Sequence, residues 1–326
     1  MKGKLLNRIL LILDVLALLF LMVVYGPWAG FRNWYVTTAL STSSHKYLAY
    51  ALYSSAQLQT IISNNQLEAP DQTSDDSLIT FEKVVVTASS TDLEREILNN
   101  PDGADYRIIP ISGSGYSGWL TVLYDPTRLT LAVAESNDGA TVSQLARQNK
   151  ALLAVNGGGF DRSRKEKSAD GGLIVNGQLY CDSEESEELI CLTKEGKLLL
   201  SHSTAGQLAE TQEISWALHF SPFLIVNGVS ASVSGNAGGQ QPRTAIGQRA
   251  DGIIILLTID GRGANGSFGI NYAGMIEIFE QCGCLNAANL DGGGSTTLYE
   301  NGALINQPAN RGRSSERAVF DALIYS

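Results

Sequence analysis

A carboxylate, three glycines and three hydroxyl residues follow one another in Asp291-Gly292-Gly293-Gly294-Ser295-Thr296-Thr297, directly after the short apolar run Ala287–Leu290. Consecutive glycines let the backbone bend sharply and approach a ligand with no Cβ in the way. Successive free N–H groups in such a turn can form a concavity for anions. A carboxylate beside that concavity disfavours simple anion binding, so the run points to chemistry or to a polyhydroxyl ligand. A glycine-rich hairpin with a turn-capping Asp is the structural alternative.

A second turn of the same kind, Asn156-Gly157-Gly158-Gly159-Phe160-Asp161, ends the apolar run Ala151–Val155. Further polar residues stand where apolar runs stop: Arg243 and Thr244, Asp260 and Arg262, and Glu316 with Arg317. Strand ends are where a rigid scaffold makes side chains converge. Arginine matches phosphate geometry bidentately, and paired carboxylates are what glycosidic cleavage generally uses, one as acid and one as base or nucleophile. Taken singly, Asp260 or Asp291 reads as a turn former and Arg243 or Arg317 as a surface or ion-pair residue; the combination carries the functional reading. No Gly-x-Ser-x-Gly elbow occurs, which disfavours an α/β-hydrolase serine. The glycine run lacks the lysine of a Walker loop and leads into a hairpin instead of a helix.

The elements that must position these residues are short and β-rich. Val84–Thr87, Arg107–Ile111, Trp119–Tyr124, Leu129–Ala134 and Gly252–Ile259 read as strands, with helices over Val142–Asn149 and Met275–Gln281. Asn176-Gly177, Asn227-Gly228 and Asn301-Gly302 each sit between apolar runs, a strong type I′ hairpin signal. The resulting expectation is an α+β fold of twisted mixed or antiparallel sheets with flanking helices.

Ahead of this body, Met1–Arg8 carries Lys2, Lys4 and Arg8, and the 21 residues Leu5–Tyr25 are almost wholly apolar. At about 1.5 Å per residue it just spans a bilayer core of roughly 30 Å. The flanking cations predict a cytoplasmic N-terminus and an extracytoplasmic body. A cleaved signal peptide is the competing reading, but Pro27-Trp28-Ala29-Gly30 makes a poor small-x-small cleavage site. Trp34–Asn64 reads as a helical stalk in which Ser41–Ser44 cap the stronger half and His45 opens it. Asn64–Ser77 reads as a polar linker. The expected organisation is a transmembrane anchor over 1–30, a juxtamembrane helical stalk and linker over 31–80, and a catalytic body over 81–326.

The net charge of −10 argues against a nucleic-acid groove, which needs clustered Lys and Arg. Among the four cysteines, Cys181 and Cys191 flank the acidic loop Asp182–Glu188 and could staple it, while Cys282 and Cys284, too close for an easy bridge to each other, read as buried thiols or as partners of something distant. Only three histidines occur, and no Cys/His spacing suits zinc. No cofactor is required on this reading, although an oxygen-only divalent cation site using Asp260 and Asp291 remains open.

In order, Asn156-Gly-Gly-Gly-Phe160, Gly171-Gly-Leu-Ile-Val-Asn-Gly177, Ser221-Pro-Phe-Leu-Ile-Val-Asn-Gly228, Pro242-Arg-Thr-Ala-Ile-Gly247, Asp260-Gly-Arg262, Asn289-Leu-Asp-Gly-Gly-Gly-Ser-Thr296 and Glu316-Arg317 resemble the phosphodiester glycosidase family from about Val84 to Ile324. The resemblance implies hydrolysis of a sugar-1-phosphodiester at the anomeric carbon, giving free sugar and a phosphomonoester. It also implies an envelope setting such as an exopolysaccharide or cell-wall polymer. It carries over Asp291, Asp260 and Glu316 as catalytic carboxylates. Asn156, Gly157, Gly158, Arg243, Thr244, Arg262, Gly292, Gly293, Gly294, Ser295, Thr296 and Arg317 become substrate-binding positions. Gly159 departs from the bulkier residue of many relatives and changes that edge of the pocket. Two rivals stand beside a glycosidase: a non-catalytic glycan-binding or scaffold protein for exopolysaccharide assembly, and a divalent-metal phosphodiesterase.

Overall fold

The Asn-Gly pairs make the turns expected of them. Asn176, Asn227 and Asn301 adopt φ of 50°, 52° and 43°, and the glycines after them adopt 76°, 78° and 98°. A type I′ turn needs positive φ at both central residues. The turns join Leu173–Val175 to Gln178–Cys181, Phe223–Val226 to Val229–Ser230, and Leu298–Glu300 to Ala303–Leu304, all antiparallel.

The computed structural model describes residues 2–326 apart from 43–44, 71–72, 137, 161–168, 212 and 311–312. It divides into two units, Met1–Gln66 with Val233–Gln240, and Leu67–Ser232 with Gln241–Ser326.

The second unit is built on three sheets. The seven-stranded sheet runs Val229–Ser230, Phe223–Val226, Cys284–Asn289, Arg243–Arg249, Ile254–Ile259, Tyr116–Leu123, Tyr106–Gly113. A five-stranded sheet runs Ala303–Leu304, Leu298–Glu300, Leu153–Asn156, Asp321–Tyr325, Leu129–Val133. The other runs Gln178–Cys181, Leu173–Val175, Ile214–His219, Glu187–Thr193, Leu198–Ser203. Alternate residues of a strand face one side of its sheet, and the inner sides share one core. Ile246, Leu256 and Ala288 enter it from the first sheet, Val155, Leu298 and Leu323 from the second, and Ile190, Trp216 and Leu218 from the third. Each leucine, isoleucine or valine among them, fully buried, stabilises by about 1.5–3 kcal/mol. The helix Tyr272–Gln281 covers the outer side of the first sheet. There Gly247 leaves room for the Phe279 ring, which a Cβ would approach to 2.8 Å.

The first unit contains the helix Lys2–Tyr25, the only helix among the described residues long and apolar enough to cross a membrane; its leucines and isoleucines are exposed. The expected single helical stalk is instead three helices, Ala29–Leu40, Lys46–Leu52 and Ser55–Ser63. The break has a local cause. Tyr53 leaves helical geometry at φ −129°, ψ 139°, and Ser54 starts a new helix with a capping box to Gln57. Ser43 and Ser44 lie outside the described residues, and His45 takes the N-cap position of the middle helix without a capping hydrogen bond. Val36, Ala49, Tyr53, Leu58 and Ile61 pack together within this unit. Val233–Gln240 joins it through Asn236, whose amide donates to Asn65 Oδ1 at 2.6 Å and whose side chain donates to Thr37 Oγ1 at 2.8 Å.

Three further expectations are corrected. Val84–Thr87 forms no strand; Val85 is 72% exposed, so the apolar run has no sheet to bury it. The polar stretch before Ser77 is not a free linker, because Ser74 exchanges hydrogen bonds with Leu200 on the strand Leu198–Ser203, at 2.9 and 2.7 Å. Cys181 and Cys191 are both free thiols: Cys181 donates to the Gly171 carbonyl, while Cys191 is fully buried.

Candidate active site

Two of the sheets are stitched together at one place, and the polar strand ends gather there. Asn156 ends the strand Leu153–Asn156 and is fully buried. Its Oδ1 accepts the Thr244 hydroxyl at 2.7 Å and the Thr297 amide at 3.2 Å, and its Nδ2 donates to the Asp291 carbonyl. Both acceptor sites of the buried amide oxygen and one of its N–H groups are thus spent on holding three segments. The chain after Cys284–Asn289 passes from one sheet to the other within two residues. The Leu290 amide donates to Thr244 O at 2.9 Å, and the Asp291 amide to Gly157 O at 3.1 Å.

Asp291 therefore emerges at the seam with its side chain fixed. Its Oδ1 accepts the Gly292 amide at 2.9 Å and its Oδ2 the Ser295 hydroxyl at 2.5 Å. The glycines behind it are lined by arginines. Gly293 has φ +62°, and a Cβ there would lie 2.9 Å from the Arg262 guanidinium, so the position is restricted both by conformation and by space. A Cβ at Gly294 would collide with the Arg317 guanidinium, which also donates to Ser295 Oγ at 3.1 Å. Gly292 lies against Pro242 and Arg243, and its neighbour Gly293 donates to Pro242 O at 2.8 Å. Arg243 is buried and stacks over the Tyr272 ring at 4.6 Å. Arg262, itself at φ 58°, donates to Ala309 O at 2.9 Å and Gln241 Oε1 at 3.0 Å. Asn156, Gly157, Thr244, Asp291, Gly292, Gly293, Gly294, Ser295 and the three arginines accordingly form one connected cluster. Gly158 joins it through Asp321, and Thr296 through its carbonyl, which accepts from Asn306 at 3.1 Å.

Asp260 and Glu316 are engaged differently. Asp260 accepts Asn265 Nδ2 at 2.6 Å, Asn306 Nδ2 at 3.1 Å and the Gln307 amide at 3.2 Å. Burial raises its pKa above the ordinary carboxylate value, against the lowering effect of those donors. Glu316 reaches the start of the helix Val142–Gln148, accepting the Ser143 amide at 2.9 Å and hydroxyl at 2.5 Å. A carboxylate suits a helix N-terminus. Among the described residues, no three His, Cys, Asp or Glu side chains come together as a metal-binding group. Asp161 lies outside the described residues.

Several residues of the cluster escaped the sequence reading. Asp321 is fully buried, and its Oδ1 accepts the Gly158 amide at 2.7 Å. A Cβ at Gly157 would collide with that same oxygen. The one signal for Asp321 in the sequence is an acid opening the otherwise apolar strand Asp321–Tyr325. Tyr272 and Asn306 carry no signal, since each reaches the cluster only through tertiary packing.

The family model for phosphodiester glycosidase matches residues 149–326. The N-acetylglucosamine-1-phosphodiester alpha-N-acetylglucosaminidase of Bos taurus is 30% identical over 233 residues, covering 59% of this chain and 41% of its own length. An uncharacterized SPbeta prophage-derived protein of Bacillus subtilis is 29% identical over 196 residues, covering 57% of this chain and 29% of its own. The chain thus spans less than half the length of these relatives. The catalytic domain of the zebrafish N-acetylglucosamine-1-phosphodiester alpha-N-acetylglucosaminidase superposes with a TM-score of 0.58 at 20% identity, covering 81% of this chain and 96% of that domain, and so shares the fold.

Proposed function

Because the chain belongs to the phosphodiester glycosidase family, we propose that its body hydrolyses the glycosidic bond of a sugar-1-phosphodiester, releasing free sugar and a phosphomonoester. One observation carries the reading: Asp291 stands oriented by Gly292 and Ser295 at the mouth of a glycine turn lined by Arg262 and Arg317. In this assignment the arginines hold the phosphodiester, and the glycines let its oxygens approach the backbone. Asp291 faces the anomeric centre, where an oxocarbenium-like transition state gains from a fixed negative charge. Asn156, Thr244 and Ser295 hold that carboxylate in place. Asp260 and Glu316, with their oxygens occupied by loop and helix donors, act here by fixing the loops that carry Arg262 and Arg317.

The name of the bovine relative makes N-acetylglucosamine-1-phosphodiesters the first class to try. The apolar helix Lys4–Tyr25 supports a membrane-anchored body facing outward, and an exopolysaccharide or cell-wall polymer is the substrate class we assign to a body so placed.

The test is hydrolysis of a panel of sugar-1-phosphodiesters by the full chain in detergent, run in 18O-labelled water with and without chelator. The expected product is free sugar carrying the label, since cleavage at the anomeric carbon puts the water oxygen there. Label in the phosphate would identify a phosphodiesterase, and loss of turnover on chelation a metal-dependent one. Binding of the diesters without turnover would identify a glycan-binding protein.

A further inference from the structure

Asp321 lies under the Asn156–Phe160 turn with an incomplete set of partners. It is 1% exposed. Its Oδ1 accepts the Gly158 amide at 2.7 Å, whereas its Oδ2 is buried with no hydrogen-bond partner among the described residues. An ionised carboxylate has about four lone-pair sites to fill, and a buried charge without donors is costly. A neutral acid suits one engaged oxygen far better. The position is also tied to the site. Gly157 is held from both sides, donating to the Asp321 carbonyl at 3.3 Å and accepting from the Asp291 amide at 3.1 Å. Gly157 and Gly158 are thereby clamped between the two aspartates, and a side chain at Gly157 would expel the clamp.

We propose that Asp321 is a positioning residue for the hydrolysis, an inference that rests on the proposed function. As the neutral acid it clamps the Gly157–Gly158 turn against Asn156 and Asp291, and it leaves Asp291 as the carboxylate charge at that turn. Ionising it would set a second buried negative charge beside Asp291, opposing the binding of an anionic diester and loosening the turn that Asn156 anchors.

The groups facing Asp321 agree with this. Asp291 faces it from the loop after Cys284–Asn289 and raises its pKa. From the edge strand Gln178–Cys181 comes Cys181, whose own pKa is raised first by burial and in smaller part by Glu187, Asp321 and Asp182. His219 offers Gly158 only its carbonyl side, its imidazole lying 3.7 Å from Glu187. Burial is the largest cause of the upward shift of Asp321, to about 7, with the Gly158 bond acting against it.

A carboxyl whose folded pKa is raised adds stability that is fully present below its unfolded value and is lost as pH rises through the folded one. For Asp321 the window runs from the ordinary 3.8 to about 7. Its contribution to the folding equilibrium falls about tenfold per pH unit across that window and is constant above it. Asp321→Asn keeps an acceptor for Gly158 and cannot ionise, whereas Asp321→Ala loses the acceptor.

The experiment compares the full chain and both variants in detergent, by denaturant unfolding and by hydrolysis of methyl N-acetylglucosamine-1-phosphate, from pH 4 to pH 9. The expected result is that Asp321→Asn gains on wild type in folding equilibrium by about tenfold per unit up to pH 7. Its activity should persist at least one pH unit further into the alkaline range than that of wild type. Below pH 7, where wild-type Asp321 is the neutral clamp, Asp321→Ala should lose at least tenfold in turnover, with Asn restoring most of it. Superimposable stability and pH–rate curves for wild type and Asp321→Asn would overturn the proposal, as would wild-type turnover in Asp321→Ala below pH 7. Diverging stability curves with a wild type inert on this and every other diester would overturn the hydrolase reading and the positioning role together, while keeping the neutral clamp.

Discussion

The Thr244 hydroxyl donates to Asn156 Oδ1 at 2.7 Å, and this one bond joins strands that belong to different sheets. The consequence is local rigidity where the glycine turns begin. Asn156 also binds Thr297 and Asp291, so the carboxylate of Asp291 is positioned by a buried amide in a neighbouring sheet. Asn156→Ala would leave the Thr297 amide and the Asp291 carbonyl without their partner in a dry site, at about 1–3 kcal/mol for each group left unpaired. We expect a lower unfolding midpoint and a loss of turnover larger than the loss of stability explains. Near-native turnover would show that the Asp291 loop holds its geometry without this bond.

Asp291→Asn tests the carboxylate itself. Asn favours the same turn positions as Asp, so the fold should stay close to wild type in melting temperature. Removal of one acid–base group typically costs about 10²–10⁴-fold in rate, and loss of a nucleophile more. Substantial hydrolysis by a well-folded Asp291→Asn chain would reduce Asp291 to a turn former.

Arg262 and Arg317 are expected to bind the phosphodiester, which makes Arg→Lys at either position a sharp probe. Lysine keeps the charge but cannot make the planar bidentate contact. KM for the diester should rise about tenfold or more, corresponding to at least about 1.4 kcal/mol of lost binding. The KM change should be read beside the unfolding midpoint of each variant, since Arg317 also contacts the Ser295 hydroxyl at 3.1 Å and Arg262 holds Ala309 and Gln241. A KM unchanged in both variants would move the phosphate elsewhere.

Asp260 offers a pH-dependence of its own. Burial raises its pKa, so the stability it adds is fully present below its unfolded value and is lost as pH rises through the raised one. Asp260→Asn should therefore flatten part of the acid-to-neutral slope of unfolding free energy. It should also disturb Gln307 and Asn306, which now donate to the carboxylate. Identical slopes for the two chains would show that Asp260 titrates alike in the folded and unfolded states.

The N-terminal helix predicts where the protein resides. Its apolar face is exposed all round, with Leu18 66% and Leu11 63% accessible, as suits lipid and not a core. The full chain should remain with membranes after an alkaline carbonate wash, and a reporter fused after Ser326 should be active outside the cytoplasm. Release by the wash, or a reporter active only in the cytoplasm, would contradict the anchor or its orientation.

What the sequence determined by itself was whatever short-range physics controls. Asn-Gly at three places specified type I′ hairpins, because both residues tolerate positive φ, and each hairpin is present. The apolar run Gly252–Ile259 specified a strand, found at Ile254–Ile259. The glycine triplets and the polar strand ends marked where side chains gather. Only the tertiary structure decided what each acid faces. Asp260, Asp291 and Glu316 look alike in sequence, yet they meet a loop, a glycine turn and a helix N-terminus respectively. Asp321 was invisible because an acid at the head of an apolar strand reads as a solvated strand end until a second segment covers it. The N-terminal stalk failed for a local reason instead: the apolar periodicity was followed past Ser54-x-x-Gln57, a capping box that starts a new helix. Burial and partner choice depend on residues more than a hundred positions apart, as in the Asn156–Asp291 pair, and no local pattern encodes them.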